Sequence, residues 1–208
     1  MITITNVETC GWEPALRGMR NPKDSWDRTD SDFLPTAPRL GPNDLNLATS
    51  LALGGPVHAK YRRMIKVYCD ITAPLYWWKE FDTYKVGTIA NSCSTMHTIH
   101  KRDLTFDDFA IEHLTQINRN LYEMIIRNIN EARHGFVEAP DSQTAKEHWY
   151  QMIQLLPTSF LQKRTVELNY EVLANMYLFR KQHKLYEWHM FCEWIETLPY
   201  ANELIISK

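Results

Sequence analysis

The sequence predicts an α+β fold, and three observations carry that prediction. The chain has 208 residues and 44% hydrophobic content, enough for one sizeable core. Ile65, Val67, Cys69 and Ile71 alternate with Lys66, Tyr68 and Asp70, the two-residue period of a half-buried strand. Ile111, Leu114, Ile117, Leu121, Met124, Ile125 and Ile129 recur at three and four, the period of a long helix. Strand-like and helix-like segments do not alternate regularly, which argues against a doubly wound parallel sheet.

Taken in order, residues 1–42 are expected to form an irregular N-terminal segment. NPKDSWDRTDSDFLPTAPRLGP carries four prolines and many turn formers, although Trp26 and Phe33 argue that it packs rather than dangles. Asn43 or Asp44 is placed to cap a helix with Leu45, Leu47, Ala48 and Leu51 on its apolar side, stopped by Gly54-Gly55. After the strand at 65–71, Pro74 fits the first turn of a short helix through Phe81. Thr83 to Ile89 is β-prone and alternates weakly. Thr105 with Asp107-Asp108 marks a helix start, and the long helix should run to about Arg133 and end at His134-Gly135. A further helix should run from Asp141 or Ser142 to Leu155, where Pro157 breaks it. Arg164 to Leu168 reads as a short strand, Asn169 to Gln182 as a helix and Leu185 to Leu198 as another. Residues 43–208 are therefore expected to form one domain, without repeats or low-complexity tracts.

Composition removes several function classes. A net charge of −2 and a pI near 6.4 carry no basic bias towards nucleic acid. No run of eighteen apolar residues predicts a membrane span, and MITITNV lacks the charged and apolar regions of a signal peptide. Four scattered cysteines (Cys10, Cys69, Cys93, Cys192) without a CxxC pair predict reduced thiols and a cytoplasmic protein. His97 and His100, three apart, suit a metal only on a helix, and the local composition favours a strand, so no metal is expected. Cys93 near His97 is a conceivable nucleophilic pair, but a buried, inert cysteine is the better expectation. Phosphate-loop, dinucleotide-fingerprint, zincin and serine-hydrolase motifs are absent.

Two stretches remain. TYKVGTIANSCSTMHTI, Thr83 to Ile99, carries seven hydroxyl-bearing residues just after the aromatics Tyr76, Trp77 and Trp78. Those aromatics are read as core or interface packing rather than ring-stacking partners of a ligand. LNYEVLANMYLFRKQHK places Asn169, Asn175 and Arg180 on one helix. At about 100° per residue, Asn169 and Arg180 fall within about 20° of each other, three turns apart. Asn169 also stands at the helix start, where amides point outward and anionic groups are favoured. The bland alternative is that Asn169 is an N-cap and Arg180 a solvated arginine.

These intervals resemble those of the flavin-dependent thymidylate synthase family, which methylates dUMP with FAD, NADPH and methylenetetrahydrofolate. That family has Leu-Pro, then an asparagine twelve residues on, a second asparagine six further and an arginine five beyond. Pro157, Asn169, Asn175 and Arg180 reproduce the pattern, and His183 in HKLYEW resembles the family's His-Ala-Gln-Trp-Glu segment. Upstream, His58, Ala73 and Pro74 keep the family's intervals, and Lys85 stands where the last arginine of its Arg-His-Arg signature would fall. The resemblance covers roughly residues 55 to 195.

The resemblance implies a single domain with an antiparallel sheet packed against long helices, assembled as a homotetramer. It implies FAD as cofactor, NADPH and methylenetetrahydrofolate as co-substrates, and a pyrimidine deoxynucleotide and folate as partners. Carried over position by position, Tyr84, Lys85, Asn91, Asn169, Asn175 and His183 would line the flavin site. Lys79, Glu80, Ser92, Ser94 and Arg180 would touch the nucleotide, with Ser94 and Arg180 at the reacting end. The family mechanism uses no enzyme nucleophile: the protein places planar ligands and directs donors at developing charge on the ring.

The departures are specific. Thr83 replaces the first signature arginine, Ser92 the glutamate, and Met96 and Ile153 two arginines that hold the nucleotide phosphate. Hydrogen bonds to charged groups contribute about 1.5–3 kcal/mol each, so two such losses would weaken phosphate binding about a hundredfold or more. Lys79, His97, Lys101 and Arg102 are the candidates to compensate. Two rivals to dUMP methylation follow: a flavin-dependent enzyme of the same fold acting on another pyrimidine nucleotide, and a binding protein that keeps the fold without flavin.

Overall fold

A computed structural model describes residues 1–34 and 37–206. The N-terminal segment, expected to be irregular, is ordered into elements. Thr3–Cys10 forms strand β1 and Trp12–Arg20 forms helix α1. Trp12, Ala15, Leu16 and Met19 are its buried stripe, and Pro14 lies in the first turn, where no helical N–H is needed. Gly11, at φ +80, makes the turn between them, and a β-carbon there would stand 2.0 Å from the Met64 carbonyl oxygen. Asp32–Leu34 (β2) and Ala37–Arg39 (β3) pair antiparallel. Pro35, one of the four prolines behind the expectation, lies outside the described residues.

Helix α2, Pro42–Leu53, begins two or three residues earlier than expected, with Gly41 rather than Asn43 or Asp44 as N-cap and Pro42 at N1. Asp44 does not cap it. Its buried carboxylate takes Arg20 Nε at 2.7 Å and Ser31 Oγ at 2.6 Å. The cap comes from Asp30, whose carboxylate accepts the Asn43 and Asp44 N–H groups at 2.9 and 3.1 Å. The Asn43 N–H in particular holds the Asp30 carboxyl below the usual carboxylate range.

Strand β4, Lys66–Pro74, follows the predicted alternation, with Val67, Cys69 and Ile71 buried. Helix α3, Leu75–Phe81, carries Trp77 and Trp78 inward, as expected for packing residues. The β-prone segment Thr83–Ile89 is a turn up to Thr88, and strand β5 is Ile89–Ser92. Helix α4 is the single turn Thr95–Thr98. Thr105 and Asp108 form a capping box, but over a 3-10 turn at Phe106–Asp108.

The long helix α5 is Gln116–Glu138, with Thr115 as N-cap. It passes through His134-Gly135, where the glycine answers to packing rather than to a helix end: a β-carbon on Gly135 would lie 2.5 Å from the His148 ring. Helix α6, Ser142–Leu155, starts where Asp141 accepts the Gln143 and Thr144 N–H groups, both at 2.9 Å. Strand β6, Leu161–Asn169, leads directly into helix α7, Tyr170–Arg180, and helix α8 is Tyr186–Glu196.

The architecture is α+β, with a four-stranded sheet in the order β1-β4-β6-β5. The β4–β6 pairing is antiparallel: Tyr170 N–H donates to Ile65 O, Thr165 Oγ1 to Asp70, and Leu75 N–H to Phe160 O, so one partner's number falls as the other's rises.

The chain divides into two compact units. The first comprises Met1, Thr72–Phe81 and Ser92–Arg164. Its core joins Ile126, Ile129 and Ala132 of α5 to Met152 of α6, Ile99 and Phe109. The second comprises Ile2–Ile71, Asp82–Asn91 and Thr165–Lys208, so most of the N-terminal segment belongs to it rather than standing apart. In its core Tyr170 Oη donates to Pro199 O at 2.7 Å while Trp12 meets the Tyr170 ring edge-on at 5.1 Å. Among the described residues, no helix is long and apolar enough to cross a membrane.

Candidate functional site

The site is built where β6 becomes α7, within the second unit. Asn169, at φ −132, is the N-cap, and its Oδ1 accepts the Val172 N–H at 2.9 Å. The bland expectation for this residue is thus correct, but it covers only half of the side chain. The Asn169 Nδ2 donates to Gly87 O at 3.5 Å. Gly87 has φ +81, and a β-carbon there would lie 2.6 Å from that nitrogen. This contact explains why Thr83–Thr88 is not a strand. A positive φ and a close backbone approach demand glycine, and Thr88 Oγ1 closes the turn by donating to Tyr84 O.

Beside that turn lies a cavity of about 560 Å³. Ala52, Leu53, Pro56, Val86 and Val172 supply apolar wall; Asn169 and Asn175 supply amides. Asn175 is exposed and faces this space from α7. The ionisable lining groups are Arg62 and Glu171, and they hold each other: Arg62 Nε and Nη2 donate to Glu171 Oε2 at 2.9 and 2.6 Å. Arg62 Nη1 also donates to Leu204 O at 2.9 Å, so this buried guanidinium braces the wall. Apolar walls with a few placed amides suit a planar heteroaromatic ligand with carbonyl and N–H groups, and the chemistry is binding and orientation rather than nucleophilic attack.

The far end of α7 carries Arg180, which is half-buried rather than solvated. Its Nε donates to Tyr84 Oη at 2.8 Å, and its guanidinium carbon lies 4.7 Å from the Trp188 ring centroid and 5.3 Å from that of Tyr84. His183 meets the same indole edge-on at 6.3 Å, with its Nδ1 accepting the Leu185 N–H at 3.1 Å. Tyr84, Arg180 and His183 therefore converge on Trp188.

Other expected residues stand elsewhere. Lys85 is exposed on the turn, and Asn91 is exposed in β5. Lys79, Glu80, Ser92 and Ser94 belong to the first unit. There Lys79 is exposed and Glu80 half-buried on α3, and Ser94 precedes α4, its carbonyl accepting Thr98 Oγ1 at 2.8 Å. Ile153 packs against the first unit's core, and the Met96 carbonyl accepts Trp149 Nε1 at 3.3 Å. Of the candidates to replace the missing arginines, Lys101 and Arg102 line a cavity of about 580 Å³ in that unit, with Arg102 paired to Asp108. Cys93, expected to be buried, is exposed, with Sγ 3.9 Å from Thr98 Oγ1.

Sequence reasoning missed Arg62, Glu171, Gly87 and Trp188. Gly87 carried a signal, as the one glycine in TYKVGTIANSCSTMHTI. Arg62 and Glu171 carried none, because 109 positions separate them.

No protein-family model matches the sequence, and no curated protein matches it significantly. Solved structures do share its fold. A thymidylate synthase X (ThyX) from Helicobacter pylori, crystallised with FAD and dUMP, matches with a TM-score of 0.68 at 14% identity, over 99% of this chain and 97% of that one. A second structure of the flavin-dependent thymidylate synthase ThyX from H. pylori, complexed with FAD and dUMP, gives 0.66 at 15%, over 97% and 98%. A UMP/dUMP methylase, PolB from Streptomyces cacaoi, bound with 5-Br dUMP, gives 0.63 at 15%, over 100% and 95%. The chain has the fold of the flavin-dependent thymidylate synthases from end to end.

Proposed function

We propose that this chain is a flavin-dependent enzyme that reductively methylates a pyrimidine deoxynucleotide, with dUMP the first substrate to test. One observation carries the reading. The full-length fold of proteins crystallised with FAD and dUMP coincides with a 560 Å³ apolar-walled cavity bearing Asn169 and Asn175. Both asparagines stand at the intervals that the sequence alone singles out.

The residues fit one end of a flavin dinucleotide. Asn169 and Asn175 would hold it by their amides, the α7 N-terminus favours negative charge beside it, and the missing β-carbon of Gly87 permits close approach. On the family resemblance, Lys85, Asn91 and His183 would complete the flavin-binding set. FAD would supply hydride chemistry, with NADPH as reductant and methylenetetrahydrofolate as one-carbon donor. The protein's own task is placement. Arg180 directs a donor at a pyrimidine carbonyl and stabilises negative charge there. Ile117, Leu121 and Met124, exposed along one face of α5, support assembly of a homotetramer through that helix.

A second reading has its own support. Ile153 is an uncharged side chain partly buried against the first unit's core, so that position offers the phosphate no counter-charge. This favours a nucleotide held differently, and hence a base or phosphate other than that of dUMP. The test begins with colour. Purified protein should be yellow, with flavin near equimolar to chain, and a colourless protein that cannot be loaded with FAD removes both enzyme readings. Product analysis with dUMP and dCMP then chooses between them. Arg180→Ala should sharply weaken nucleotide binding and leave flavin bound.

A further inference from the structure

The family resemblance gives Tyr84 and Arg180 to different ligands, the flavin and the pyrimidine. In the fold they touch each other. Arg180 Nε–H donates to Tyr84 Oη at 2.8 Å. The guanidinium also lies over the Trp188 ring, which is fully buried, and the Tyr84 and Trp188 rings meet edge to face at 6.1 Å. Tyr84 itself is fixed from behind, because Thr88 Oγ1 donates to its carbonyl and Gly87 holds the same turn against Asn169.

An arginine side chain has four rotatable bonds and must be ordered before it can direct a donor. A hydrogen bond at Nε sets the rotation of the guanidinium plane. A ring under one face sets its tilt. Together they determine the orientation with which Arg180 meets a ligand, at no cost at the moment of binding.

We propose that Tyr84 and Trp188 are positioning residues for Arg180, and that Tyr84 therefore serves the nucleotide rather than the flavin. The proposal rests on the reading of Arg180 as the pyrimidine-binding arginine. Neither the sequence intervals nor the structural matches give Trp188 a role. Its burial under a half-buried cation is the arrangement that a preorganised arginine requires.

The test uses flavin-loaded full-length protein and Tyr84→Phe, which keeps the ring and removes the hydroxyl. Equilibrium binding of dUMP, flavin content, thermal stability, KM and kcat are measured together. The dissociation constant and KM for dUMP should rise about tenfold, since one hydrogen bond to a charged group is lost, while flavin content, melting temperature and kcat stay close to the parent. The double variant Tyr84→Phe/Arg180→Ala should bind dUMP no more weakly than Arg180→Ala alone, because Tyr84 acts through the arginine. Trp188→Phe, where it folds, should also weaken dUMP binding with flavin retained. Additive losses in the double variant, or flavin loss with dUMP affinity kept in Tyr84→Phe, overturn the proposal. If Arg180→Ala weakens dUMP binding and Tyr84→Phe does not, the positioning role fails and the functional reading survives. If Arg180→Ala leaves dUMP binding intact, or the parent binds neither dUMP nor dCMP, both fail.

Discussion

Gly87 lies against the carboxamide of Asn169 so closely that a β-carbon on it would stand 2.6 Å from Nδ2. One asparagine thus caps α7 with its oxygen and tethers the preceding turn with its nitrogen, joining segments 82 positions apart.

Gly87→Ala should therefore suffer twice, from a positive φ and from the clash. A destabilisation of about 1–3 kcal/mol is expected, read from the urea midpoint. Gly55→Ala is the natural comparison, because Gly55 also has a positive φ, +89, but no atom lies within 4 Å of where its β-carbon would stand. It should cost clearly less; equal costs would mean that φ alone decides and that the Asn169 contact is incidental.

Asn169→Asp should separate the two duties. Aspartate caps helices as well as asparagine but cannot donate to the Gly87 carbonyl. Hydrogen exchange should quicken at residues 84–88, while the Val172 amide stays protected. Asn169→Ala should quicken both and cost about 1 kcal/mol or more. Unchanged exchange at 84–88 in the aspartate variant would show that the tether is not real.

Arg62 and Glu171 form a largely buried pair, with side-chain exposures of 5% and 22%. Glu171→Ala leaves the arginine without its counter-charge and should destabilise by about 3–5 kcal/mol. Arg62→Met/Glu171→Leu should recover most of that, since the pair replaced together leaves no orphan charge. A double variant as unstable as the single one would show that Arg62's bond to the Leu204 carbonyl, not the ion pair, supports the cavity wall.

Cys69 makes the protein sensitive to alkali. Burial, with a smaller push from Asp70, raises its thiol from 9.0 to about 12. Between those values the unfolded thiol has lost its proton and the folded one has kept it, so the folded state binds more protons and stability falls as pH rises. Cys69→Ala should flatten the fall in denaturation midpoint above pH 9, and a slope equal to the parent's would refute this. In the native protein at pH 8, a thiol reagent should label Cys10 and Cys93 before the buried Cys69 and Cys192.

The periodic elements were legible in the sequence because periodicity is a local property. The alternation of Val67, Cys69 and Ile71 specified β4, and the recurrence of Ile117, Leu121, Met124, Ile125 and Ile129 announced α5 as a helix, but not its inward face: that face runs through Ile126, Ile129 and Ala132, while Ile117, Leu121 and Met124 are exposed. Asp141 and Asn169 announced their helix starts through side chains that reach amides two or three residues on. Helix α1 was hidden because the prolines and turn formers of residues 21–42 set the reading of the whole N-terminal segment, although the apolar stripe Trp12, Ala15, Leu16 and Met19 lies before them. The stop at Gly135 was misread because a glycine required by a neighbouring histidine ring looks, in sequence, like one that ends a helix.

The sequence by itself determined the α+β class, the order of most elements and the asparagine and arginine positions along α7. Only the tertiary structure decided that Thr83–Thr88 is a turn, that Arg180 rests on Tyr84 and Trp188, and that Arg62 finds Glu171. The reason is the range of the forces. Backbone hydrogen bonds and apolar period act within a few residues and leave their mark on adjacent letters. A close approach such as Gly87 to Asn169, or a guanidinium over an indole, depends on segments the chain brings together only after its core has formed.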